Sequence, residues 1–243
     1  MNTDPTLVAT AFALLLLVGL PLLAAWDARR GVDLEMAAGH RRALYASVAL
    51  SLTVMTSVTL AVMAWQRIAA ADLGWRVADP IEACIWGAAI SVIGLAVVWL
   101  MTTLARLAGL EESPLAMILM PRTPGEKRGF LILSGVAAVG EELVFRGFLL
   151  GTLTAWTSSP WFAAVVVSLS FGLAHGYQKL SGILRSGTMG MLLAVPTVVT
   201  GSLFPAILAH FWINAAIGLG GWRYLLDDEF DDHTNRPADS GDR

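Results

Sequence analysis

Glu141, Glu142 and Arg146 stand together in the middle of an otherwise uncharged apolar stretch, GFLILSGVAAVGEELVFRGFLLGTL, at 129–153. An ionised side chain at the centre of a membrane helix costs about 2.5 to 3.5 kcal/mol on insertion scales, so three in one span require compensation. On a helix Glu142 and Arg146 are four residues apart and share a face, with the acid on the favourable N-terminal side. Glu141 is rotated from Glu142 by about 100°. The spacing therefore predicts a Glu142–Arg146 ion pair and leaves Glu141 to point elsewhere.

Two further apolar stretches carry polar groups of the kind that do chemistry. SLSFGLAHGYQ aligns Phe171 with His175, and FPAILAHFWINAAIG aligns His210 with Asn214, each pair at a spacing of four. Any single histidine in such a place could equally be no more than an interhelical hydrogen-bonding contact. Three stretches bringing acid, base and amide groups to one membrane interior form a set, and bundle sites are assembled in this way from facing helices. A carboxylate beside a histidine in a water-poor pocket can activate water as a general base. A histidine and an asparagine can donate hydrogen bonds to a developing oxyanion. Together these describe hydrolysis of an acyl or peptide bond.

The elements that must position these groups are membrane helices. The chain has 243 residues, 56% apolar and 14% charged, with a mean hydropathy of +0.66, against roughly a quarter charged in soluble domains. The expected fold is all-α, a polytopic transmembrane bundle of about seven spans near 5–26, 44–65, 81–103, 129–153, 160–177, 186–201 and 203–221. Lysine and arginine concentrate in alternate connections, with Arg41, Arg42, Arg106, Arg122, Lys127, Arg128, Lys179 and Arg185 on one side and only Arg67 and Arg76 on the other. By the bias of positive residues toward the cytoplasm this predicts an N-out, C-in arrangement. With straight helices over these limits, Glu141 falls about 18 Å from the cytoplasmic end of its span. His175 then falls close to the cytoplasmic face and His210 nearer the outside, so convergence demands either tilted helices of unequal length or different limits for the sixth and seventh spans.

Residues 1–124 are expected to hold three spans and an interfacial segment, PLAMILM, that does not cross the membrane. Residues 125–221 are expected to form the catalytic helical core, and the acidic stretch 222–243 a solvated, disordered tail. The N-terminal run has no basic residue before Arg29, so it lacks the positive region of a secretory signal and is expected to remain as the first membrane helix. Cys84 is alone and is expected to be a small core residue. Small residues at a spacing of four, Gly147/Gly151 and Gly172/Gly176, predict close helix approach.

Other membrane hydrolase chemistries are excluded by the residues present. No histidine begins an HExxH: His40, His175, His210 and His233 are followed by Arg, Gly, Phe and Thr. No aspartate lies within a predicted span, and no serine lies in a GxSxG context. A net charge of −3 leaves no basic surface for nucleic acid.

EELVFR at 141–146, FGLAH at 171–175 and HFWIN at 210–214 resemble, in order, the EExxxR, FxxxH and HxxxN motifs of the CPBP family. That family comprises the type II CAAX prenyl endopeptidases and bacteriocin-processing or immunity-associated membrane proteins, and the resemblance covers roughly 125–220. It implies an intramembrane endopeptidase of a prokaryotic cytoplasmic membrane, acting on a membrane-associated protein or peptide, with CAAX-type prenylated substrates as one class. In it Glu141 activates water with His175, His210 and Asn214 stabilise the oxyanion, and Glu142 with Arg146 orients the site. Two histidines and a glutamate could alternatively hold Zn²⁺ with an open position for water; the metal-free mechanism is favoured because His210 and Asn214 fit an oxyanion role. A non-catalytic scaffold or immunity factor and a proton-coupled transporter are the competing readings.

Overall fold

The computed structural model describes residues 7–31, 33–77, 79–221 and Arg223, and every regular element among them is helical. The expected tail at 222–243 lies outside the described residues apart from Arg223. In chain order the helices are α1 Leu7–Arg30, α2 Leu34–Gly39, α3 Arg41–Trp65, α4 Pro80–Leu107, α5 Pro114–Ile118, α6 at 124–157, α7 Pro160–Ala174, α8 Lys179–Thr200 and α9 Phe204–Gly221. Short 3₁₀ turns at Ala70–Leu73 and Gly176–Gln178 connect α3 to α4 and α7 to α8. Seven of the nine overlap the stretches expected as spans. Five are long and apolar enough to cross a membrane; α7 has only fifteen residues, and α6 carries Glu141, Glu142 and Arg146 in its middle.

Local chemistry fixes where three long helices begin. Asp79, Thr123 and Ser159 each accept a hydrogen bond from a backbone N–H of the following first turn, and each precedes a proline at the first helical position. The side chain satisfies an otherwise unpaired donor, and proline costs nothing where no intrahelical N–H is needed. Thr123 completes a capping box with Glu126.

The sixth span starts seven residues earlier than the sequence pattern suggests, at Lys179 rather than 186. Charge obscures this helix to a hydropathy reading. Arg185 holds Glu112 through a bidentate pair at 2.8 and 3.1 Å, and Lys179 holds Glu111 at 2.8 Å. Pro196 lies inside α8 without ending it. PLAMILM forms α5 and the turn after it, with Met117 and Ile118 buried. It is tied to α3, where Tyr45 donates to the Leu119 carbonyl at 2.9 Å and Arg41 to that of Ile118 at 2.8 Å.

Cys84 is exposed, not in the core. A bundle in lipid has an apolar surround as well as an apolar interior, so an outward thiol loses nothing by facing the acyl chains. Side chains such as Ile81, Ile85 and Val92 of α4 are exposed on the same terms.

Depth is set by the turns. Glu141 lies about 24 Å along α6 from Thr157, and His175 about 22 Å along α7 from Pro160. A tight turn joins these two helix ends, so the two side chains reach the same level. His210 lies only about 9 Å into α9, but the α8–α9 turn is sunken. Leu203 is fully buried and packs where Gly147 leaves room, its nearest atom 3.3 Å from the position a Cβ would take. Gly147 is ten residues, or about 15 Å, below Thr157, and that offset restores His210 to the level of the others. The segment after α3 holds the turn down: Leu203 N–H donates to the Gly74 carbonyl at 2.8 Å, and Ser202 Oγ to that of Arg76 at 2.7 Å.

The small-residue spacing is half correct. A Cβ on Gly172 would lie 2.7 Å from the Ile183 carbonyl and 2.9 Å from Gly187 backbone, whereas one on Gly151 would meet nothing within 4 Å. Gly172→Ala should therefore destabilise the fold by about 1–3 kcal/mol, since the colliding atoms are backbone. Gly151→Ala should stay within about 0.5 kcal/mol. Thermal unfolding of the two variants in detergent separates them; equal midpoints would contradict the α7–α8 contact.

Candidate active site

The helix that carries EELVFR changes its winding there. Residues Glu142–Leu149 form a π-helical turn within α6, a rare feature that recurs at functional sites. Glu142 and Arg146 nonetheless meet as the sequence spacing predicts. Arg146 Nη1 donates to Glu142 Oε1 at 2.9 Å, with the acid 0% and the base 2% exposed. Arg146 Nη2 donates to the Gly190 carbonyl of α8 at 2.9 Å, and its guanidinium carbon lies 4.6 Å from the centre of the Phe171 ring. One arginine thus joins three helices. Gly190 is a residue the sequence reading missed: a Cβ there would sit 3.3 Å from Arg146 Nη2 and 3.3 Å from the Phe171 ring.

His210 reaches across from α9 and lies between the two glutamates. Its Nδ1 is 2.8 Å from Glu142 Oε1, and its Nε2 is 3.8 Å from Glu141 Oε2. The first is a hydrogen bond to an acceptor, which makes Nδ1 the protonated nitrogen and aims Nε2 at Glu141. The second is beyond hydrogen-bond range. Glu142 therefore does more than hold Arg146; it also orients His210, a coupling that the i, i+4 pattern could not reveal.

His175 closes α7. Its Nδ1 lies 2.8 Å from the Phe171 carbonyl, an oxygen that can only accept, so neutral His175 carries its lone pair on Nε2. The ring sits 4.6 Å from that of Phe171 and 6.0 Å from that of Tyr177.

Glu141, His175, His210 and Asn214 line one cavity of about 390 Å³, to which Glu142 and Arg146 do not contribute. The cavity brings together four of the six residues singled out from the sequence; the other two form the charged support behind them. Most of the remaining wall is apolar, including Leu44 and Val48 of α3, Phe130 and Leu133 of α6, and Leu115 and Met120 around α5. Tyr177, Gln178, Glu112 and Arg185 also line it. No sequence signal singled out these four as lining a site: Glu112, Tyr177 and Gln178 lie in connections, and Arg185 lies in the first turns of α8, which are placed by its pair with Glu112.

Zinc needs three convergent donors and an open position. Among the described residues no three His, Cys, Asp or Glu side chains form such a group, although both histidines hold Nδ1 against an acceptor and leave Nε2 free.

Residues 126–216 match the family model described as type II CAAX prenyl endopeptidase Rce1-like. The match includes all six candidate residues and excludes α1 through α5. No curated protein and no solved structure matches the chain.

Proposed function

Taking residues 126–216 as a domain of the Rce1-like family of type II CAAX prenyl endopeptidases, we propose that this integral membrane protein is an intramembrane endopeptidase using a glutamate-activated water. The observation that carries the reading is the meeting of Glu141, His175, His210 and Asn214, from three helices, in one otherwise largely apolar cavity. The water oxygen attacks the scissile carbonyl carbon while its proton passes to the Glu141 carboxylate, with His175 Nε2 holding the water from the other side. The oxyanion that forms accepts hydrogen bonds from the Asn214 amide and from Nε2–H of His210 in its doubly protonated form. Collapse breaks the C–N bond, and the proton on Glu141 goes to the leaving amine. Glu142 and Arg146 fix His210 in place and touch no substrate atom.

The apolar wall running from Glu141 toward α3 and α5 suits a substrate that carries hydrocarbon, and a prenylated CAAX peptide is the proposed class. The cavity wall includes Leu115, Leu119 and Met120 from the connection between α4 and α6, and the positive-inside bias turns that connection to the cytoplasm.

Purified protein in lipid vesicles should cleave a farnesylated CAAX peptide at one bond, read by mass spectrometry, and cleave its unprenylated counterpart at least tenfold more slowly. Turnover should persist after dialysis against a strong chelator. Absence of any cleavage product would remove the enzymatic reading, and equal rates would remove the prenyl specificity alone.

A further inference from the structure

A prenylated CAAX motif ends its chain three residues after the modified cysteine. A peptide cleaved within the motif therefore carries a free carboxylate no more than about 10 Å from the reacting carbonyl, the reach of three extended residues. That carboxylate enters a largely apolar cavity that already holds Glu141, and a charge left unpaired there is costly. Among the described residues of the wall there is a single lysine or arginine, Arg185. It stands close to the level of the catalytic groups. Gly172 of α7 packs on α8, where a Cβ would lie 2.9 Å from the Gly187 backbone. His175 is three residues from that contact and Arg185 two, both toward the same end of the bundle because α7 and α8 run in opposite directions, so their levels differ by only about 2 Å.

Arg185 also has donors to spare. A guanidinium presents five N–H groups in a fixed fork. Glu112 accepts one from Nη1 and one from Nη2, at 2.8 and 3.1 Å, and Thr102 accepts the other from Nη1 at 3.2 Å. Nε–H and the second N–H of Nη2 lie side by side on the remaining edge, with no partner among the described residues, and Nε is open to solvent rather than sealed in the packing. Such an edge grips a carboxylate through two parallel hydrogen bonds. We propose that the Nε–Nη2 edge of Arg185 is the subsite for the C-terminal carboxylate of the substrate, with Glu112 and Thr102 holding the guanidinium in place. The peptide terminus is then drawn toward α4 and α8 while its hydrocarbon lies toward α3. An internal segment of a membrane protein has no carboxylate to offer, so the subsite selects chain ends.

The inference rests on the peptidase reading, and the two can fail separately. In lipid vesicles holding the Glu141→Gln variant, a fluorescent farnesylated CAAX peptide with a free C-terminus should bind about tenfold or more tighter than the same peptide with a C-terminal amide, the size of one charge-assisted pair. Adding Arg185→Gln should bring that ratio to within about twofold. Arg185→Lys, which keeps the charge without the fork, should fall between. Glu112→Gln/Arg185→Gln, which strands no carboxylate, repeats the test where the single variant does not fold. With Glu141 restored, the same acid-to-amide ratio should appear in kcat/KM. Equal affinity for acid and amide, or a preference that survives Arg185→Gln, would overturn the subsite. A preference that disappears with Arg185, alongside no cleavage when Glu141 is present, would remove the peptidase reading and keep the carboxylate site.

Discussion

Glu142→Leu should destabilise the folded protein by about 3–5 kcal/mol, because it leaves the Arg146 guanidinium buried without its counter-charge. The acid is fully buried, and one oxygen serves both Arg146 at 2.9 Å and His210 at 2.8 Å. The double variant Glu142→Leu/Arg146→Met removes the charge pair and keeps apolar volume, so it should recover much of the loss. A buried pair replaced whole by apolar side chains is often neutral, whereas a pair broken on one side is not. Unfolding midpoints in SDS titrations of the wild type, both single variants and the double give the coupling directly. Both Glu142 variants should remain inactive, since His210 has lost the group that orients it. A double variant less stable than Glu142→Leu alone would show that the pair is not an energetic unit.

This separation of stability from activity was half visible in the sequence. The i, i+4 spacing is local and needs no tertiary knowledge, so Glu142–Arg146 could be read directly. His210 binding to Glu142 rests on the sunken α8–α9 turn, which in turn rests on Gly74, Gly147 and Leu203 fitting together. No periodicity encodes that fit, and an account built on full-length spans leaves His210 at the wrong depth. The start of α8 was hidden for a related reason: hydropathy counts Lys179 and Arg185 as charges but cannot see that Glu111 and Glu112 meet them. Cys84 failed differently. The expectation of burial comes from proteins whose surround is water, and a thiol facing lipid pays no such penalty. The chemistry-bearing types were legible because polar groups in apolar spans are conspicuous; the cavity they share was not, since much of its wall comes from α3, α5 and the connections.

Glu141→Gln should leave folding intact and lower turnover by roughly 10²- to 10⁴-fold, the usual contribution of a positioned general base. The side chain lines the cavity, is 14% exposed and approaches His210 no closer than 3.8 Å, so its amide replaces it without stranding a buried partner. That contrasts with Glu142, one residue away on the same helix, whose loss is structural first. The unfolding midpoint should therefore move little while the initial rate of peptide release collapses. His175→Ala should also cost turnover, but Glu141→Gln/His175→Ala should be scarcely slower than Glu141→Gln alone. Two groups acting on one water proton are non-additive, because removing either already forfeits the step they share. Rates for the four proteins, measured by mass spectrometry on one lipidated peptide, decide the matter. Turnover of Glu141→Gln within threefold of wild type would dismiss Glu141 as the base, and fully additive losses would place His175 in a separate step.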